Sequence, residues 1–226
     1  MKKMLEYSSL MNYNVDECII HRRKMMQDKR IAIFGGTFSP IHFGHLLIAE
    51  QVAKQYKLNS VLFMPAGQPP HKENDNLLEA KHRLEMIKLA IGNNKKFAYS
   101  AYEINKEGKS YTAETLKHFL DLGIAKEVFF IIGADSLLDI FNWRQSSYLL
   151  ENASFIVASR PGFDLNHIME DERYKPYKEK IKIIKTVFVD HSSTRIREWI
   201  REKKSIRYQI PEAVRKYIIK NKLYRG

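Results

Sequence analysis

The chain has 226 residues, 44% of them apolar, with Cys18 its only cysteine; that allows one good-sized core, excludes an internal disulfide and fits a reducing cytosol. No apolar run approaches the roughly 20 residues of a membrane helix, and no secretory signal is expected, because the basic N-terminus lacks an apolar stretch with a small-residue cleavage site. The net charge of +12 favours anionic partners, either nucleic acid or small phosphorylated substrates, although a generally basic composition would give the same excess.

Residues 1–29 carry several methionines and no clean period, so they are expected to form a leader outside the main domain, which then spans 30–226. From Arg30 the pattern alternates. RIAIFGG, 30–36, reads as a short buried strand ending at glycine. GHLLIAEQVAKQY, 44–56, reads as a helix with Leu47, Ala49, Val52, Ala53 and Tyr56 near helical spacing. SVLFMPA, 60–66, is a second strand closed by Pro65. The helix at 79–92 carries Ala80, Leu84, Ile87 and Ile91 on one stripe, with Gly92 as its stop. A third strand is predicted over 96–104, and a helix over 112–123 ended by Gly123. EVFFIIGAD, 127–135, is a fourth strand, apolar on both faces. Further strands are predicted at 153–162 and 180–189, then two closing helices at 193–204 and 211–222.

Strands apolar on both faces, alternating with helices, indicate an α/β domain. The fold class expected is Rossmann-like and doubly wound: a mainly parallel sheet, helices on both faces, and a small helical C-terminal part. Ligands in such sheets sit at the carboxyl ends of the strands, where the order switches. The loops after strands are therefore where chemistry is sought.

The first such loop is in IAIFGGTFSPIHFGHL, 31–46. Gly35 and Gly36 allow positive φ and a close approach of backbone to ligand. The helix beginning near Gly44 aims free N–H groups and its dipole into that loop, which favours a phosphate. The stretch has neither the dinucleotide fingerprint nor the P-loop spacing. His42 and His45 lie three apart on the first helical turn. They can be read as a zinc pair, though no third ligand lies nearby. They can also be two structural histidines, one of them a cap, or two imidazole donors to phosphate oxygens. Far downstream, SSTRIR, 192–197, opens a helix with hydroxyls and an arginine; alone it reads as an N-cap.

GGTFSPIHFGH resembles the signature of the nucleotidyltransferase superfamily with the H-x-G-H motif, here His42, Gly44 and His45. SSTRIR resembles its second motif, carried by Ser193, Thr194 and Arg197. Within the superfamily the chain is most similar to the bacterial nicotinate mononucleotide adenylyltransferase family, from Arg30 to Tyr224. FMPAGQPPHK (63–72), KSYTAETL (109–116), FFIIGADSLLDIFNW (129–143) and VASRPG (157–162) support this. The resemblance implies transfer of the adenylyl group of ATP to nicotinate mononucleotide, giving nicotinate adenine dinucleotide and pyrophosphate in NAD biosynthesis, with Mg2+ accompanying ATP.

It also implies site residues. His42, His45 and Arg197 are the expected catalytic set. Gly35, Gly36, Thr37, Phe38, Gly133, Asp135, Ser193, Thr194 and Arg197 are expected on ATP; read from the residues alone, Asp135 after Gly133 would cap the next helix. Lys72, Ser110, Tyr111, Thr112, Trp143, Arg144 and Arg160 are expected on the acceptor, with Trp143 stacked on the pyridine ring. No protein metal site is expected. Where the signature usually carries aspartate this chain has Ser39, which is expected to hydrogen-bond the turn and preserve the loop. The expected partners are small molecules in the cytoplasm, without nucleic acid or membrane; a homo-oligomer is compatible. The alternatives are another transferase of the superfamily, such as one acting on phosphopantetheine, and a basic RNA-binding module.

Overall fold

A computed structural model describes residues 30–68, 77–92, 94–123, 125–159, 170–185 and 191–225. Among these residues the strands are β1 (Arg30–Gly36), β2 (Ser60–Pro65), β3 (Phe97–Tyr99), β4 (Glu127–Gly133), β5 (Ser154–Ser159) and β6 (Ile181–Lys185). They form one sheet in the order β3-β2-β1-β4-β5-β6, with every pairing parallel. The order reverses between β1 and β4, where Phe34 lies level with Ile131 on one side and Phe63 on the other. This is a doubly wound Rossmann-like sheet, and its switch point falls at the end of β1.

Helices α1 (Phe43–Gln55), α2 (Ala80–Ile91), α3 (Tyr102–Asn105), α4 (Thr112–Asp121), α5 (Ala134–Leu138), α6 (Ser146–Asn152), α7 (Ser193–Arg201) and α8 (Glu212–Lys220) complete the frame. Ala32, Phe34, Phe129 and Ile131 point to one face, where residues of α1, α2, α7 and α8 cover them. Ile31, Ile33, Phe130 and Ile132 point to the other, under α4, α5 and α6. Period-two alternation thus buries both sides, and each fully buried Phe or Ile contributes about 1.5–3 kcal/mol.

Several expected boundaries move. The third strand stops at Tyr99 because the Ser100 hydroxyl accepts the Tyr102 N–H at 3.1 Å, which opens α3. The fourth strand ends at Gly133, and Asp135 already belongs to α5. The buried stripe of α2 is Arg83, Met86, Ile87 and Ile91, so an arginine sits where an apolar face was expected. Of the residues read near helical spacing in α1, Ala49, Val52 and Ala53 are buried, whereas Leu47 is 39% exposed. The proposed leader, residues 1–29, and the end of the sixth predicted strand lie outside the described residues.

Candidate active site

The turn after β1 differs from expectation. Gly35 and Gly36 belong to the strand, and neither takes positive φ; the left-handed residue is Phe38, at φ 48°. Space at Gly36 is tight, since a Cβ there would stand 3.2 Å from the Phe38 ring. Phe38 is 2% exposed and packs edge-on against Phe34 at 5.7 Å and His45 at 5.0 Å. Its side chain is therefore core, and any nucleotide contact from this residue runs through its backbone.

His42 is the N-cap residue of α1 and is buried. Its ring stacks on His45 with centroids 3.7 Å apart. His45 Nδ1 accepts the His42 N–H at 3.2 Å. In the neutral ring this leaves the proton on Nε2, a donor one turn into a helix N-terminus. Gly44 makes the stack possible: a Cβ there would meet the His42 ring at 3.0–3.1 Å and His191 Cβ at 3.3 Å.

The second motif closes on this loop. Ser193 Oγ donates to the Pro40 carbonyl at 2.9 Å, and Arg197 Nη1 donates to the Ser39 carbonyl at 2.8 Å. Arg197 Nη2 also donates to Thr194 Oγ1 at 3.2 Å. The Ser193 hydroxyl thus joins α7 to the loop and does not cap the helix; Ser192 stands at the cap position and makes no side-chain cap bond. Two helix N-termini, two imidazoles and a guanidinium converge here, which suits a polyanion. Among the described residues no three His, Cys, Asp or Glu side chains gather into a group that could hold a metal.

A cavity of about 730 Å³ opens beside this cradle. Gly35 and Gly36 line it from β1, and Gly133 and Asp135 from the end of β4. Ser110, Tyr111 and Thr112 form another part of its lining, with Trp143 and Arg144. Asp135 is not a cap: Gly133 holds that position, and no side-chain cap bond forms. Trp143 is half-buried and packs on the second core face. The Arg144 guanidinium lies 4.5 Å over the Tyr111 ring and 3.4 Å from Glu114, which also pairs with Lys106. Lys72 and Arg160 lie outside the described residues.

Three contributors escaped the sequence reading. Arg83 is 1% exposed and donates to the carbonyls of Leu78, Thr37 and Gly67 at 2.9, 3.0 and 3.3 Å, tying the loops after β1 and β2 together. Burial pushes its pKa down from the ordinary arginine value. Glu103 lines the cavity, with Thr115 donating to it at 2.7 Å. Burial pushes its carboxyl up, against the opposing pull of that bond and of Lys106. His191 stands just before SSTRIR, 6.0 Å from the His42 ring, with Nδ1 2.7 Å from Gln209 Oε1. The one sequence signal was Arg83 itself, a charge beside Leu84 on an apolar stripe.

A family model described as cytidylyltransferase-like matches residues 33–199. The chain is 43% identical over 199 residues to a probable nicotinate-nucleotide adenylyltransferase of Clostridium botulinum, covering 87% of this chain and 98% of that protein. It is 42% identical over 199 residues to one of Desulfitobacterium hafniense, covering 87% and 96%. The chain belongs to the cytidylyltransferase-like family and, within it, to the nicotinate-nucleotide adenylyltransferases. Its fold is also that of a Plasmodium falciparum nicotinic acid mononucleotide adenylyltransferase complexed with NaAD, with a TM-score of 0.72 at 23% identity over 87% of this chain and 97% of that one.

Proposed function

We propose that this chain transfers the adenylyl group of ATP to nicotinate mononucleotide, forming nicotinate adenine dinucleotide and pyrophosphate. The observation that carries the reading is the closure of the second motif on the first, through Arg197 to Ser39 and Ser193 to Pro40. The curated relatives at 42–43% identity support the choice of acceptor.

The acceptor's 5′-phosphate oxygen attacks the α-phosphorus of ATP. A new P–O bond forms, the bond from the α-phosphorus to its bridging oxygen breaks, and pyrophosphate leaves with the electron pair. The nucleophile is already ionised, so no side chain need remove a proton. Positioning and charge neutralisation are the protein's contributions. His45 Nε2–H and His42 face the α-phosphate in this reading, while Arg197, Ser193, Thr194 and the N-terminus of α7 face the β- and γ-phosphates. Gly35, Gly36 and Thr37 carry the backbone under the nucleotide. Gly133 and Asp135 lie beside its ribose.

Trp143 stacks the pyridine ring against the wall made by Ser110, Tyr111 and Thr112. Arg144, Lys72 and Arg160 belong to the acceptor side. Magnesium arrives on the ATP phosphates as part of the substrate; Ser39 supplies no carboxylate to hold a resident ion. Small charged substrates and a single cysteine support a cytoplasmic setting for this activity. Among the described residues no helix is long and apolar enough to cross a membrane.

The test is pyrophosphate release from ATP and magnesium with nicotinate mononucleotide, nicotinamide mononucleotide and phosphopantetheine as separate acceptors. Nicotinate mononucleotide gives the highest kcat/KM. Preference for phosphopantetheine would overturn the assignment.

A further inference from the structure

We propose that Tyr224 is a positioning residue for ATP: its phenol, seated on Ser39, fixes the phosphate loop in the place from which Arg197 and the α1 N-terminus meet the polyphosphate. The proposal rests on the adenylyl-transfer reading of that loop.

Tyr224 follows α8 by an unusual route. Lys222 and Tyr224 both take left-handed backbone, at φ 53° and 62°, on either side of Leu223, which is 7% exposed in the core. Bulky residues rarely adopt this conformation, and it persists where surrounding contacts over-determine it. The Leu223 side chain is one such contact. The other is the Tyr224 hydroxyl, 3.1 Å from Ser39 Oγ across 185 residues of sequence. The receiving side is unusual too, because Phe38, just before Ser39, is also left-handed. Ser39 is 2% exposed, so the bond is sheltered from water.

One residue of the loop therefore carries two long-range ties. Its side chain meets Tyr224, and its carbonyl accepts from Arg197. The next carbonyl, of Pro40, accepts from Ser193. Removing the phenol oxygen frees one side of the residue on which Arg197 is aligned.

The chemistry of the tie matters as well. Arg197 and Arg83 both act electrostatically on the Tyr224 hydroxyl, yet burial outweighs them and pushes its pKa up to about 12. The phenol is thus a neutral tie placed beside two cations. It anchors the loop without neutralising the Arg197 guanidinium, which leaves that charge to a polyanionic ligand. A carboxylate in the same place would compete with the phosphates.

The experiment compares wild type with Tyr224→Phe, Ser39→Ala and the double variant. Each single change removes one hydroxyl and leaves the packing, so thermal midpoints identify variants that merely fail to fold. ATP and nicotinate mononucleotide are varied separately in steady-state assays, and ATP affinity alone is read by calorimetry. The expected result is KM and Kd for ATP raised about tenfold in each single variant, with KM for the mononucleotide unchanged. The double variant is no worse than either single one, because both remove the same bond. Wild-type ATP affinity in Tyr224→Phe, equal weakening toward both substrates, or additive losses in the double variant would overturn the proposal. Wild-type protein that binds ATP but turns over no acceptor would instead sink the adenylyl-transfer reading, and the calorimetric comparison would still decide the role of Tyr224.

Discussion

Arg197 donates to the Ser39 carbonyl at 2.8 Å, joining positions 158 residues apart. The same guanidinium holds Thr194 in its own helix. A planar fork with fixed donors serves two partners at once and still presents its charge to a ligand; an ammonium does so poorly. Arg197→Lys is therefore expected to lower kcat/KM for ATP by roughly 10²–10³, the scale of one preorganised donor. Steady-state kinetics with ATP varied at saturating mononucleotide check this.

Gly44→Ala tests the histidine stack. The added methyl would stand 3.0–3.1 Å from the His42 ring, with His191 Cβ at 3.3 Å behind it, so the ring must shift. Displaced catalytic groups lose rate before they lose fold. A kcat reduction of about 10²-fold is expected with a near-normal thermal midpoint.

Arg83→Met keeps the length of the side chain and removes its donors. The carbonyls of Leu78, Thr37 and Gly67 then lose a buried partner. A loss of about 3 kcal/mol or more is expected in urea unfolding, with an unchanged m-value. The two loops that Arg83 joins flank the cavity, so activity should fall in parallel.

Tyr224 gives stability a signature at high pH. The unfolded chain releases this proton near 10.0, and the folded chain only near about 12. Between those values the unfolded state holds fewer protons, so stability falls as pH rises. The contribution is fully present below 10 and lost through 12, with an upper bound of about 2–3 kcal/mol. Unfolding free energies of wild type and Tyr224→Phe at pH 9 and pH 11 check it: wild type loses more over that interval.

The sheet was legible because its strands are apolar on both faces, and the two motifs because their residues are rare in that order. What sequence could not show was backbone conformation and distant pairing. The glycines of GGTF suggested positive φ, yet Phe38 takes it, and a Cβ at Gly36 would crowd the Phe38 ring. SST read as a cap, yet Ser193 bonds a carbonyl 153 residues away. Asp135 read as a cap because it follows Gly133, but Gly133 itself holds the cap position and Asp135 lies in the first turn. Ser39 was expected to hydrogen-bond its own turn, and its hydroxyl instead meets Tyr224. Arg83 showed itself only as a charge on an apolar stripe, since its partners are backbone carbonyls, and Tyr224 carried no local signal because its partner is a hydroxyl 185 residues away.

Positional labelling of ATP tests adenylyl transfer most directly. With nicotinate mononucleotide as acceptor, label at the α-phosphorus is expected in the dinucleotide and label at the γ-phosphorus in pyrophosphate, in equal amounts. Label from the γ-phosphorus in the organic product, or none from the α-phosphorus, would contradict it.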